Sequence, residues 1–289
     1  MTLEAPMRCS ALAEQLEEPM IGSVEQRVRW LLVEDRSAWG EKAVRDVLGA
    51  SLEAEAKARG VRLLLVRRRE GDPAADAVRR VFLVDTGAAQ MAVRTIEDLG
   101  ELSAIESAET AIDEFGAVMT DPILLVCTNG KRDACCALRG RALMTALAAD
   151  HAERTWECTH LGGHRFAGNL VCLPDGIVYG RVGPADGPRL ADAYLERRLD
   201  PGLLRGRSAW PPAAQVAEQE LRRSAGMVGL DDVRVLDVTV SGNSAGVALA
   251  GPDGVTHDFR LRAEKVQPPR SISCRADELE SPLHWVLDA

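Results

Sequence analysis

The order of apolar runs constrains the fold of this chain more than any other feature, because one order occurs twice. The first occurrence begins with the predicted strand VRWLLVE and continues with an Ala- and Leu-rich helix over Lys42–Ala58, which ends at Gly60. Val61–Val66 follows, a short apolar run typical of a strand covered on both faces. VFLVDT and QMAVRTI, joined around Gly87, then have the pattern of a hairpin. The predicted order is strand, helix, strand, hairpin.

The same order recurs in the middle of the chain. Ile123–Cys127 is an apolar strand, and Ala134–His151 is an Ala- and Leu-rich helix with Asp133 as its N-cap. Thr155–Cys158 is a short strand, and NLVCL and IVYGRV flank the turn sequence PDG. We therefore expect an α/β protein with a mixed sheet, in which the two halves are versions of one unit. Chance recurrence of a common order is the alternative.

The remainder of the chain is predicted to extend the second unit or to form a small cap. Residues 183–210 are predicted to be helical with breaks, and a helix starts at Pro211-Pro212 and ends near Gly226. Strands are predicted at Val233–Val240, Ala245–Ala250 and His257–Arg262.

Two loops hold most of the soft metal ligands in the sequence. The first runs from Cys127 to the doublet Cys135-Cys136, and the second follows Cys158 and contains His160 and His164. Parallel strands one helix apart end at the same edge of a sheet, so the two loops should face each other. Glycines in both loops allow the backbone to turn tightly beside a cofactor. The pattern predicts a metal site built from both loops.

The other cysteines and histidines have ordinary explanations. The seven cysteines are an odd number, which favours metal or redox chemistry for some and burial for the rest. A lone cysteine is usually a small core residue, and we assign that role to Cys9, Cys172 and Cys274. Likewise, we expect the remaining histidines (His151, His257 and His284) to be structural or exposed.

Ligand chemistry alone leaves more than one site open. Two thiolates and two imidazoles suit tetrahedral zinc, and they equally suit a [2Fe–2S] cluster in which two histidines replace two cysteines on one iron. Cys135 and Cys136 stand far from Cys127 compared with the about two to four intervening residues of most zinc knuckles. This spacing modestly favours the larger cofactor. A thiol oxidoreductase using Cys135 and Cys136 is a third reading, although adjacent cysteines form a strained disulfide ring.

Both loops and the hairpin after them resemble a known family. VCTNGKRDACCALRGRAL and THLGGHRFAGNLVCLPDGIVYGRV are similar to the sucrase/ferredoxin-like family, whose cluster domain is related to thioredoxin-like [2Fe–2S] ferredoxins. The ferredoxins' Cys-x-x-x-Cys spacing is kept here as His160-x-x-x-His164. The resemblance implies cluster ligands at Cys127, His160, His164 and one member of the doublet, and the RDxxC pattern places the last at Cys136.

The recurring order and the resemblance together suggest a domain organisation and a function. From the recurring order we infer two thioredoxin-like units, at 1–118 without ligands and at 119–210 with the cluster, followed by a helix and β-hairpin extension at 211–289. The expected function is that of a Rieske-like [2Fe–2S] protein in one-electron transfer, with or without proton coupling, or in redox sensing. Such a protein is an electron carrier rather than an enzyme. No carboxylate pair supports sugar hydrolysis.

Charge and hydropathy limit the partners. The formal net charge of −9 argues against nucleic acid, because phosphate binding needs a surplus of Lys and Arg. No apolar stretch approaches the ~20 residues that span a bilayer, and the N-terminal residues, with Glu4, lack the pattern of a secretion signal. We therefore expect a cytoplasmic location, no membrane contact, and an unknown redox partner protein as electron donor or acceptor.

Overall fold

Strands β1 to β5 form the first half of a large mixed sheet. The computed structural model describes residues 7–68 and 78–288. Strand β1 pairs in parallel with β2 and antiparallel with β3, and β3 forms a hairpin with β4. Leu31, Leu32 and Val33 are buried on both faces of β1, which explains its unbroken apolar run. The elements are β1 (Arg29–Glu34), α2 (Ala43–Leu48), α3 (Ala50–Ala58), β2 (Arg62–Arg67), β3 (Arg79–Asp85), β4 (Gln90–Ile96), α4 (Ala104–Glu109), α5 (Ile112–Phe115) and β5 (Ala117–Val118), after a first helix α1 (Cys9–Gln15).

The second half repeats this connectivity. Strand β6 pairs in parallel with β7 and antiparallel with β8, and β8 forms a hairpin with β9. Leu124 and Val126 face one core and Ile123 and Leu125 face another, so β6 is also covered on both sides. The elements are β6 (Ile123–Cys127), α6 (Ala134–His151), β7 (Thr155–Cys158), β8 (Leu170–Leu173) and β9 (Ile177–Tyr179).

The two halves join through β2 and β7, which pair antiparallel at Val66↔Cys158 and Arg67↔Glu157. A tenth strand, β10 (Leu204–Arg207), lies at one end, and within the described residues the order of the ten strands is β10-β9-β8-β6-β7-β2-β1-β3-β4-β5. Each half therefore has its strands in the order fourth, third, first, second. The predicted α/β class with a mixed sheet is confirmed, and the recurring order appears in the topology of the sheet.

The last third of the chain differs from its prediction in two places. The segment 183–210, predicted to be helical, contains α7 (Asp186–Leu195) and then a strand, β10 (Leu204–Arg207), which pairs with β9. Helix α8 (Pro212–Ala225) leads to a four-stranded antiparallel sheet rather than a hairpin. The strands of that sheet are β11 (Arg234–Ser241), β12 (Ser244–Ala250), β13 (Thr256–Lys265) and β14 (Leu283–Leu287). The division into 1–118, 119–210 and 211–289 stays a prediction.

Two smaller points complete the comparison with the sequence. The single helix predicted over Lys42–Ala58 is two helices, α2 and α3, because Gly49 between them has φ +88°. Cys172 lies fully buried in β8, as predicted for a core residue. Residues 1–6, on which part of the expectation about a secretion signal rests, lie outside the described residues. Among the described residues, no helix is long and apolar enough to cross a membrane.

Candidate metal centre

The first loop begins at the end of β6, and this strand end packs against the first turns of α6. Cys127 is the last residue of β6 and is paired in register with Cys158 of β7. Helix α6 approaches this strand end closely at Gly140, where a Cβ atom would stand 2.1 Å from the carbonyl oxygen of Cys127. A side chain at position 140 would therefore push the helix away from Cys127. The glycine holds the two ligand-bearing elements of this loop together.

Asp133 caps α6 as predicted and orients the cysteine doublet. Its carboxylate accepts the backbone N–H of Cys135 at 2.9 Å. Cys135 and Cys136 follow in the first helical turn, about 100° apart around the axis, and both are buried. Their side chains point to different neighbours. The Sγ of Cys136 lies 3.7 Å from Nδ1 of His164, whereas the Sγ of Cys135 lies 3.3 Å from that of Cys274.

The second loop turns at two glycines after β7. Gly162 and Gly163 have φ values of +87° and +69°, which favour glycine. Arg205 braces this turn: its guanidinium donates to the Gly162 carbonyl and to the Asn169 side chain. A Cβ at position 163 would lie 2.4 Å from an Arg205 nitrogen. The left-handed turn and the buried arginine together place His160 and His164 at the sheet edge.

The structure brings the four predicted ligands together in two pairs. The imidazole rings of His160 and His164 are stacked, with centroids 4.1 Å apart and planes 14° from parallel. Cys136 and His160 both lie close enough to Cys127 to lower the pKa of its thiol. Thus the thiols pair with each other, the imidazoles pair with each other, and the two pairs are in contact.

Hydrogen bonding and burial set the charge state of these groups. The Cys136 thiol donates to Cys127 and holds the pKa of Cys127 well below its ordinary value, against the opposing effect of burial. The same hydrogen bond, with burial, raises the pKa of Cys136. Burial lowers the pKa of His164 to about 4, so this imidazole is neutral at pH 7. A ready thiolate and a neutral imidazole are the forms that metals bind.

Buried arginines supply the compensating positive charge. Burial lowers the pKa of Arg205 to about 9, yet the group remains charged at pH 7, and the sulfurs of Cys127 and Cys136 favour its charge. Arg62 donates to the backbone carbonyl of His160 at 3.0 Å. Both cations lie on the side of the second loop. The site can therefore carry additional negative charge without facing bulk water.

Comparison with known proteins shows the family of this chain. The sequence profile of the sucrase/ferredoxin-like family matches residues 20–206, more than half of the chain. This protein belongs to the sucrase/ferredoxin-like family. Both ligand-bearing loops lie inside the matched region.

Two curated fungal relatives share a shorter stretch with this family member. Both are named "Altered inheritance of mitochondria protein 32". The protein of Meyerozyma guilliermondii is 33% identical over 89 residues, which cover 27% of this chain and 32% of the relative. That of Eremothecium gossypii is 33% identical over 99 residues, 29% of this chain and 32% of the relative. The chain spans about a third of the length of these relatives. No solved structure matches it.

Sequence reasoning missed a second group of side chains in this sucrase/ferredoxin-like protein. Cys9, Cys135 and Cys274 lie in mutual contact beside Asp133, although they come from three distant parts of the chain. Cys274 is exposed, so its prediction as a core residue is wrong; Cys9 is buried but contacts sulfur rather than only apolar groups. The family match covers neither Cys9 nor Cys274. No spacing in the sequence signals this group, because 265 positions separate its ends.

Proposed function

We propose that this protein holds a Rieske-like [2Fe–2S] cluster through Cys127, Cys136, His160 and His164 and carries single electrons. The observation that carries the proposal is the pairing of two thiols with each other and two imidazoles with each other, on two loops at one sheet edge. In such a cluster one iron takes the two thiolates and the other takes the two imidazoles. The family membership supports a ferredoxin-like role.

The spacing of the donor atoms favours a binuclear group over a single zinc ion. Around tetrahedral zinc, donors lie about 3.8 Å apart when the Zn–S distance is about 2.3 Å. Among the described residues, one set of three or more His, Cys, Asp or Glu side chains has all its donor atoms within 4.8 Å of one another, and it is the group at Cys9. The four proposed ligands are spread more widely. Two metal centres fit that spread better than one.

The groups around the proposed ligands set their charge and their position. When bound, such a cluster accepts or donates one electron at roughly −150 to +300 mV. Imidazole ligands, unlike thiolates, add no negative charge to a cluster, and Arg205 and Arg62 offset the charge of the thiolates. Gly140 lets α6 approach Cys127, and Gly163 lets the second loop pack against Arg205. These features favour uptake of an electron in a site that is mostly closed to water.

An open cavity beside His160 gives a partner access to the site. The cavity has a volume of about 670 Å³ and is lined by His160, Asn129 and charged side chains of both signs from the first half. His160 is partly exposed there, whereas the two thiols are buried. Electrons would enter or leave through the imidazole side. We propose that the unknown redox partner protein docks over this cavity.

The test is the composition and colour of the protein purified without oxygen. We expect about two iron and two acid-labile sulfide per chain and a red-brown visible spectrum. Cys172→Ala, which changes a buried cysteine of β8 that is paired with Leu124 rather than with a ligand, is the matched control and should keep the spectrum. A colourless protein with one zinc bound to the two loops would contradict the proposal and support a structural zinc site. A colourless, metal-free protein that cycles a disulfide through Cys136 would support the thiol oxidoreductase.

Location and reaction remain predictions at this point. The name of the two fungal relatives refers to mitochondria, while the sequence pattern predicts a cytoplasmic protein. The proposed role does not depend on the compartment, because the ligands and their supports all belong to this chain.

A further inference from the structure

Three cysteines from distant parts of the chain form a compact triangle of sulfur atoms. The Sγ of Cys135 lies 3.6 Å from that of Cys9 and 3.3 Å from that of Cys274, and the third side, Cys274 to Cys9, is 3.6 Å. These distances exceed the ~2.05 Å of a disulfide bond. The three thiols are free and in van der Waals contact around one point.

A carboxylate completes the group on one side. Both oxygens of Asp133 lie 3.9 Å from the Sγ of Cys9, and the four donor atoms all lie within 4.8 Å of one another. Asp133 is fully buried, and it is oriented by the backbone N–H groups of Cys135 and Cys274 and by the hydroxyl of Ser273. A carboxylate has about four acceptor positions; these three hydrogen bonds leave one, to which the Cys9 thiol lies close enough to donate.

We propose that Cys9, Cys135, Cys274 and Asp133 form a second metal site, which binds one Zn²⁺ ion. Four donors of this kind around one point match a closed, tetrahedral, structural zinc site. The sulfur triangle has sides slightly below the about 3.8 Å edge of tetrahedral zinc thiolates, so a small outward adjustment seats the ion.

Other occupants fit less well. A [4Fe–4S] cluster places each thiolate on a different iron, and a [2Fe–2S] cluster divides its four ligands over two irons, so either needs a wider set of donors than this one. Copper(I) prefers purely soft ligands, whereas the carboxylate makes the set mixed. With hydrogen bonds alone, three S–H groups, which are weak donors, would lie beside a buried carboxylate. A divalent cation would neutralise the negative charge of that carboxylate and of the thiolates. The N-terminus of the 18-residue helix α6 points at the group and stabilises its thiolates.

The ion would tie together segments that have little other structure. Cys274 lies in the connection between β13 and β14, which contains no helix or strand, and Cys9 begins the seven-residue helix α1. Both segments would be fastened to the first turn of α6. Since Cys136 is the next residue of that turn, the zinc site would also fix the backbone of a proposed iron ligand. The two sites would share one helix end but no ligand.

The test is the metal content of the full-length protein purified under reducing conditions, with iron and zinc measured separately. We expect about one zinc per chain in the unaltered protein and its loss, to less than about a tenth, in Cys274→Ala, with iron unchanged. Cys9→Ala, near the other end of the chain, should also lose the zinc and keep the iron. Cys172→Ala, the matched control, should keep the zinc. X-ray absorption at the zinc edge should show about three sulfur neighbours at about 2.3 Å and one oxygen.

Folding of the variants has its own control. Cys274 is exposed, so its replacement leaves the core intact. A chelator should lower the melting temperature of the unaltered protein and leave that of Cys274→Ala unchanged. Zinc-free unaltered protein, zinc retained in both variants, iron at the three sulfurs, or a Cys135–Cys274 disulfide in acid-quenched protein would each overturn the proposal. Because iron is counted separately, failure of this site and failure of the cluster give different results.

Discussion

The two halves of the large sheet have the same topology but opposite chemistry at equivalent strand ends. Glu34 ends β1 opposite Val66, and Cys127 ends β6 opposite Cys158, so Glu34 occupies the position of Cys127. In the first half the buried carboxylate is paired with Arg80 at 2.8 Å. In the second half the thiol contacts another thiol and an imidazole.

The difference shows how one unit can hold ion pairs in one copy and thiol and imidazole groups in the other. Asp35, the residue after Glu34, is buried and paired with Arg79, so the first edge is closed by ion pairs. At the equivalent end of the second half, Cys127 stands in place of Glu34 and Thr128 in place of Asp35, and positive charge comes from Arg205 behind the loop. The fold supplies the convergence of strand ends, and the side chains at those ends decide the chemistry.

The largest expected effect separates the two equivalent positions. Cys127→Ala should remove all bound iron, because one of four ligands is lost at a buried position. Glu34→Ala should leave the iron content unchanged and lower the free energy of unfolding by about 1–2 kcal/mol, since Arg80 is partly exposed and regains water. Iron analysis and urea unfolding of both variants check this. Loss of iron in Glu34→Ala with the fold intact would contradict the claim that only the second half binds the iron.

The next prediction divides the cysteine doublet. Cys136→Ala should abolish the cluster spectrum, because Cys136 contacts Cys127 and His164. Cys135→Ala should keep colour and iron and lose zinc, because Cys135 faces Cys9 and Cys274. The double variant excludes rescue by the neighbouring thiol. Bleaching by Cys135→Ala alone, with a normal spectrum in Cys136→Ala, would reverse the assignment.

A smaller, quantitative effect concerns the histidines. Replacing both His160 and His164 with cysteine should leave a cluster and lower its midpoint potential by several hundred millivolts, on the order of the gap between Rieske and plant-type centres. Two thiolates add negative charge where neutral imidazoles stood, which disfavours the added electron. Protein-film voltammetry measures the shift. An unchanged potential at full iron occupancy would exclude the histidines as ligands.

The smallest effect is a pH dependence of the potential. Reduction raises the pKa of ligand imidazoles, so between the oxidised-state and reduced-state pKa values an electron brings a proton with it. The midpoint potential should then fall as pH rises, by at most about 59 mV per unit for one proton per electron. Below both pKa values and above both, it should be flat. A midpoint that is flat from mildly acid to strongly alkaline pH would refute the coupling while leaving the ligands in place.

Local patterns carried most of the fold prediction. Buried parallel strands produce unbroken apolar runs, and the hairpin at Gly87 and the turn at Pro174-Asp175-Gly176 are local signals, so both units could be predicted. The pairing of β2 with β7 could not be predicted, because it rests on two residue pairs far apart in sequence. Strand β10 was missed because its four residues, Leu-Arg-Gly-Arg at Leu204–Arg207, contain one large apolar side chain and show no strand pattern.

The same contrast holds for the two clusters of ligands. Cys127, His160 and His164 could be predicted to meet, because adjacent parallel strands end at one edge. Helix geometry showed that the doublet diverges but not which cysteine faces which side. Cys9 and Cys274 gave no signal at all, since their meeting depends on how the terminal segments pack against α6.

The most direct test of the central claim is a count of the imidazole nitrogens on the reduced cluster. The protein is labelled with ¹⁵N-histidine, reduced and measured by pulsed electron paramagnetic resonance. We expect couplings from two directly bound histidine nitrogens in the unaltered protein and from one in His160→Cys or in His164→Cys. A reduced cluster with no strongly coupled histidine nitrogen would contradict the claim that the second half of the sheet binds iron through His160 and His164.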